Sequence, residues 1–210
     1  DYAFTVLVIN GLFTDNVLLA RLGIFLPALL LPLWICLQHR IIMLYNDLMQ
    51  PIEQGINRHY LNDAKRILRS MPRLKVIGIT GSYGKTSTKF YLQKLLSAKY
   101  NVLMTPESYN TLMGVVRTVR ESLRPSTRIF LAEMGAKNVG DIKEICDIVH
   151  PHQGIITSVG PQHLETFGSL DTVLRTKLEL ADAVKGKGPV FRALSVKPTT
   201  APEQDLVYFS

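Results

Sequence analysis

Eight consecutive residues hold the densest chemistry in the chain: Thr80-Gly81-Ser82-Tyr83-Gly84-Lys85-Thr86-Ser87. Gly81 and Gly84 let the backbone turn tightly and present amides to phosphate oxygens. A helix opening at Lys85 adds its positive N-terminal end. Lys85 is placed to reach the β- and γ-phosphates of a nucleotide, and the Thr86 hydroxyl to ligate Mg²⁺. The generic phosphate loop has a glycine five residues before Gly84, where this chain has Ile79. The match is therefore to the shorter form GxxGKT. A glycine-rich turn with a surface lysine is the alternative. The strand before and the helix after favour binding of a nucleotide with Mg²⁺, through Gly81, Ser82, Tyr83, Gly84, Lys85, Thr86 and Ser87.

Glu133 closes the apolar run IFLAE. A carboxylate at a strand end beside a phosphate loop is a natural Mg²⁺ ligand; an ordinary capped loop carboxylate is the alternative. His163 follows the apolar run GIITSV, and on residue type alone a lone histidine is structural. Lys177, on residue type alone, is a surface lysine on a helix. His150 and His152 flank Pro151 with no carboxylate or cysteine at ligand spacing, and read as loop residues. Cys36 and Cys146 form no disulfide framework and no thiolate metal site, which fits a reducing compartment.

The elements that must position these groups alternate regularly. Strands are expected at 75–80, 101–105, 128–134 and 154–159, and helices at 85–98, 112–123, 139–149 and 170–184. Such alternation implies right-handed βαβ units and a mainly parallel sheet. Ligands of such sheets bind beyond the C-terminal strand ends, where the phosphate loop, Glu133 and His163 fall. From Gly186 onward no periodicity is clear until the last few residues.

The N-terminal part differs. Leu22 to Leu37 carries no charge, Arg21 lies at one end, and Trp34 and Tyr45 suit an interfacial belt. This predicts a transmembrane helical segment, with a signal peptide, which lacks a basic n-region and a cleavage site here, and a buried core helix as the alternatives; the apolar stretch Tyr2 to Phe13 reads as the end of a second span or a re-entrant piece. The net charge is +7, concentrated in Arg58, Lys65, Arg66, Arg69, Arg73 and Lys75, opposed locally by Asp63. The cluster fits an anionic lipid surface or a solvated helix face. With no aromatic-interleaved basic motif, nucleic acid is not expected as a partner. Basic residues C-terminal to the span put that side in the cytoplasm, at a bacterial inner membrane. The reading is an α/β fold with a mainly parallel sheet and a phosphate loop, preceded by a transmembrane segment. Its parts are a membrane segment at 1–45, a basic helical connector at 46–74, an ATP-binding domain at 75–187 and a divergent tail at 188–210. Tyr60 to Met71 is expected to be helical, with Leu61, Ala64, Ile67 and Leu68 on one face and Pro72 ending it.

Four ordered stretches, ITGSYGKTSTK, TPESYNTLMG, AEMGAKNVGDI and TSVGPQHLETFGSL, the last followed by RTKLEL, together resemble the central domain of the Mur ligase family. The resemblance runs from about Lys75 to Val184 and is strongest to the members that add D-alanyl-D-alanine to a muramoyl-peptide. It implies an ATP-dependent, ADP-forming amide ligase of peptidoglycan synthesis. ATP phosphorylates a substrate carboxylate, an amino acid or dipeptide amine attacks the acyl phosphate, and two Mg²⁺ ions neutralise phosphate charge. Lys85 and Thr86 match the phosphate-binding lysine and a metal ligand, Glu133 the metal-ligating glutamate, and His163 the ligand of the second metal. Lys177 matches the lysine that is carbamylated in this family, and Asn110 the asparagine of its substrate- and metal-proximal loop. Thr111 and Ser158 stand where the family has asparagines. The membrane segment stands where the UDP-sugar domain is expected, which points to a lipid-linked or nucleotide-linked muramoyl-peptide. With no acceptor domain recognisable either, the chain reads as an incomplete ligase. Two other readings are a folate-polyglutamate or cyanophycin type of ligase, and a non-catalytic nucleotide-binding module.

Overall fold

The computed structural model describes residues 5–6, 17–106, 109–161, 164–193 and 206–209. The chain divides into two compact units, Asp1–Ile56 and Asn57–Ser210.

A single helix, α1 (Val17–Arg69), runs through most of the first unit and into the second. Among the described residues, no helix is long and apolar enough to cross a membrane. The transmembrane segment expected there and the inner-membrane location drawn from it are overturned, and the membrane partner loses the span that argued for it. The charge-free run Leu22 to Leu37 stops short of the about 20 apolar residues that a spanning helix needs, with Arg21 before it and Gln38, His39 and Arg40 after it. The positive-inside argument falls with it, because it orients only a segment that spans. Most of Tyr2 to Phe13, the other apolar stretch, lies outside the described residues.

In the second unit, the last turns of α1 supply Ala64, fully buried, with Tyr60, Leu61, Ile67 and Leu68 packed around it. This is the apolar face expected from the sequence. Asp63, on the neighbouring face, accepts hydrogen bonds from Arg66 at 2.7 Å and Arg120 at 2.9 Å. The Arg120 guanidinium also lies 4.1 Å from the centre of the Tyr60 ring. The rest of the basic cluster is largely exposed, with Lys65 half-buried.

The remaining elements alternate. They are β1 (Lys75–Thr80), α2 (Lys85–Leu96), β2 (Val102–Met104), α3 (Leu112–Ser122), β3 (Ile129–Glu133), α4 (Asp141–Val149) and β4 (Gln153–Ile156). After them come α5 (Leu164–Phe167), α6 (Leu170–Val184), β5 (Val190–Ala193) and β6 (Leu206–Phe209). The six strands form one parallel sheet in the order β2-β3-β1-β4-β5-β6. β5 and β6 extend it at positions with little legible periodicity; four-residue strands leave little alternation to read.

Side chains alternate across the sheet. On β3, Phe130 and Ala132 join the larger core beneath α3, α4 and α6, while Ile129 and Leu131 face the smaller one, with Ile79, Ile155 and Leu92 of α2. α3 and α6 open with side-chain caps: Thr111 accepts from Gly114 N at 3.3 Å and Ser169 from Thr172 N at 3.2 Å. α2 does not. Its cap residue is Gly84, left-handed at φ 80°, with no side chain on the first-turn amides. The chain passes from β1 to β2 and β3 on one side, then to β4 on the other. β1 therefore borders the switch in strand order, where open α/β sheets bind ligands.

Candidate active site

The loop after β1 is held from the β4 side. Gly81 has φ 140°, and a Cβ there would collide with the Thr157 hydroxyl. Ser82 N donates to Ser158 O at 2.7 Å and Ser82 Oγ to Gly160 O at 3.1 Å. Thr157 Oγ1 donates to Tyr83 O at 2.6 Å, and Ser158 Oγ donates to the same carbonyl at 3.2 Å. The loop's carbonyls and outer side chains are thus tied to the strand side. The uncapped amides of α2 are the groups left for an anion. Lys85 curls back over the loop, its Nζ donating to Gly81 O at 2.8 Å and Ser82 O at 3.2 Å. Burial lowers the Lys85 pKa, and the charge of Glu133 opposes that shift.

Glu133 ends β3 and lies in register with Ile79 of β1, so its carboxylate arrives beside the loop. It is 2 % exposed. Thr86 Oγ1 donates to its oxygens at 3.2 and 3.4 Å, and Asn110 Nδ2 to Oε1 at 3.4 Å. Lys89 Nζ lies 2.8 Å from Oε2. The Glu133 backbone amide donates to Thr105 Oγ1 at 3.1 Å. Gly135 leaves room for Asn110: a Cβ there would come within 2.9 Å of the Asn110 amide.

These donors fit Mg²⁺. A carboxylate and a hydroxyl beside a phosphate loop are hard oxygen ligands, and Mg²⁺ is usually held by one or two carboxylates with water and phosphate oxygens completing the shell. Among the described residues, no three His, Cys, Asp or Glu side chains cluster to hold a metal by themselves. Thr86 and Glu133 are the residues that would supply the protein's oxygens to such an ion.

A cavity of about 460 Å³ opens beside this pair, lined by residues that include Lys85, Asn110, Gly135, Asp141, Glu144 and Lys177. Lys177 is 3 % exposed on α6. Burial, and then the charge of Lys85, push its pKa down to about 8. The α4 end of the cavity is fixed by Glu179, which accepts from the backbone amides of Gly140 at 2.8 Å and Lys143 at 2.9 Å.

Of the residues singled out in the sequence, Lys85, Thr86, Asn110, Glu133 and Lys177 come together around the loop and cavity. Gly81 and Gly84 take the backbone conformations expected of them. Ser82 points its hydroxyl at Gly160, Tyr83 is half-exposed with its ring against Gly160, and Ser87 is exposed on the first turn of α2. His163 lies outside the described residues. Thr111 caps α3, and His152 accepts a hydrogen bond from Val76 N at Nδ1, 3.2 Å away, tying the start of β1. Residue-by-residue reading missed Lys89 and Thr157. The signal for Lys89 was its place one helical turn after Lys85; for Thr157 it was a hydroxyl at the end of the strand beside β1.

The family profile of the Mur ligase middle domain matches residues 79–197. The UDP-N-acetylmuramoyl-tripeptide–D-alanyl-D-alanine ligase of Mycobacterium leprae is 41% identical over 117 residues, 56% of this chain and 22% of that protein. The ligase of the same name from Bacillus subtilis is 33% identical over 114 residues, 54% of this chain and 25% of that protein. Among solved structures, MurF from Acinetobacter baumannii superposes with a TM-score of 0.60 at 33% identity, covering 62% of this chain and 29% of that one. MurF ligase from Thermotoga maritima in complex with ADP gives 0.59 at 32%, covering 65% and 31%. This chain thus spans about a quarter of the length of the curated relatives it matches. With the phosphate loop, the buried glutamate and the parallel sheet in the places these matches cover, the chain belongs to the Mur ligase family.

Proposed function

We propose that this chain carries the ATP site of an ADP-forming amide ligase of peptidoglycan precursor synthesis. The reaction joins D-alanyl-D-alanine to UDP-N-acetylmuramoyl-tripeptide, the substrates in the names of its relatives. The observation that carries the reading is the meeting of Lys85, Thr86 and Glu133 at the end of β1, beside the uncapped start of α2. Residues 75–187 form the ATP-binding core in this reading, with 46–74 as a basic helical connector and 188–210 as a divergent tail.

The substrate carboxylate attacks the γ-phosphorus of ATP, ADP leaves, and an acyl phosphate forms. The acceptor amine then attacks the acyl carbon, and the tetrahedral intermediate expels phosphate to leave the amide. The α2 amides and Lys85 bind the phosphates and stabilise the charge that moves onto them. Thr86 and Glu133 would hold Mg²⁺, which neutralises phosphate charge during transfer. Asn110 orients the Glu133 carboxylate from the cavity side. We assign His163 and Lys177 to a second metal. The lowered pKa of Lys177 supports carbamylation, because only the neutral amine attacks CO₂: the N–C bond forms, a proton leaves, and an anionic oxygen ligand replaces a cation. Labelled bicarbonate should give a carbamate signal that Lys177→Ala abolishes.

Calorimetric titration of the full chain with ATP and Mg²⁺ tests the core of this reading. Saturable binding that Lys85→Ala removes is expected. No binding by the wild-type chain would overturn it.

A further inference from the structure

Lys89 is the buried residue of α2, fully shielded, and the carboxylate it meets is buried too. Its Nζ lies 2.8 Å from Glu133 Oε2, with side-chain exposures of 0% and 2%. A buried ion pair is a weak device for stability, since desolvating both charges offsets much of their attraction and an apolar pair of similar volume does as well. The pair's geometry is more informative. Lys89 draws on Oε2, while Asn110 Nδ2 approaches Oε1 at 3.4 Å and the Thr86 hydroxyl approaches both oxygens at 3.2 and 3.4 Å. The carboxylate is therefore gripped from beneath by a residue inside the fold, with its other edge turned toward the loop. Lys85 and Lys89 stand one turn apart on the same helix. The first lies over the phosphate loop; the second reaches the glutamate.

We infer that Lys89 is a positioning residue that holds the Glu133 carboxylate toward Thr86 and thereby couples Mg²⁺ to nucleotide binding, while touching neither. The inference rests on reading the site as one for ATP with Mg²⁺. Groups that orient a metal ligand change metal affinity when removed, although they are not ligands themselves.

The test is calorimetric ATP binding by the full chain, with Mg²⁺ and with a chelator. The quantity compared is the ratio of the two affinities in the wild type, Lys89→Met, Glu133→Gln and the double variant. Lys89→Met is expected to lower the ratio about tenfold or more and to leave ATP affinity in the chelator unchanged. Adding Lys89→Met to Glu133→Gln should lower the ratio no further, because Lys89 acts through that carboxylate. Should Lys89→Met fail to fold, Lys89→Gln, which keeps a donor toward Glu133, takes its place, and a smaller fall in the ratio is expected. A folded Lys89 variant whose ratio is unchanged or raised overturns the inference, as does an equal loss of ATP affinity with and without Mg²⁺. A wild-type chain that binds no ATP would instead overturn the functional reading itself.

Discussion

Gly78 of β1 pairs in register with Gly154 of β4, and Leu180 of α6 fills the notch that these two bare positions leave. A Cβ on Gly78 would come within 2.6 Å of Leu180 Cδ1, and one on Gly154 within 3.1 Å of Leu180 Cγ. Leu180 is fully buried, and Lys177 lies one turn before it on the same helix. The glycine pair therefore sets how closely α6 approaches the sheet, and with it the position of the cavity lysine.

Gly78→Ala should destabilise the fold by about 1–3 kcal/mol, since the added methyl meets the movable end of a leucine in a packed core. Leu180→Ala should cost about 2–5 kcal/mol through the cavity it leaves. The double variant should lose less than the sum, because the alanine methyl takes up part of that cavity. Urea denaturation of the four proteins measures this, and strict additivity would refute the notch.

Gly81→Ala should abolish ATP binding. Its φ of 140° is left-handed backbone, and the new methyl would enter the space of the Thr157 hydroxyl. Thr157→Val should weaken binding less. It removes the 2.6 Å hydrogen bond to Tyr83 O but keeps the loop's glycine geometry. Titration of both variants with ATP and Mg²⁺ gives the order, and Gly81→Ala binding as tightly as wild type would refute the assignment.

The Lys177 pKa, lowered to about 8 from 10.5 by burial first and the Lys85 charge second, makes stability depend on pH. Between those two values the unfolded chain holds more protons than the folded one, so this lysine's contribution to stability rises with pH across that window. Below pH 8 the buried cation costs roughly 3 kcal/mol. Lys177→Met should therefore be more stable than wild type at pH 7 in carbonate-free buffer, and the gain should shrink toward pH 10.5. Denaturation at both ends of the range measures it, and a pH-independent difference would contradict the burial of the charge.

Burial pushes the Cys146 thiol up to about 12, and its sulfur lies 3.8 Å from Met134 Sδ, while Cys36 is exposed. Iodoacetamide at neutral pH should alkylate Cys36 and spare Cys146 until denaturant is added, because the thiolate is the reactive form. Mass spectrometry of the two peptides reads this directly.

The sequence by itself determined the loop and the sheet. Gly81, Gly84, Lys85 and Thr86 are contiguous, so their spacing alone dictates a turn that exposes amides before a helix. The strands through Ile156 and their helices follow from local periodicity, which needs no partner to be visible. The N-terminal run misled for the same reason: apolar composition marks a stretch that avoids water, but its length and flanking charges decide whether it crosses a membrane. Glu133 was legible as a strand-end carboxylate, but its grip by Lys89 was not. That contact joins residues 44 positions apart, and which face of α2 turns inward is set by where β1 and β3 lie. Thr157 acts from just past the end of β4, 76 residues beyond Gly81, and only the pairing of β1 with β4 brings them together. The lowered pKa of Lys177 likewise depends on burial of the inward face of α6, a property of packing that no local stretch of chain encodes.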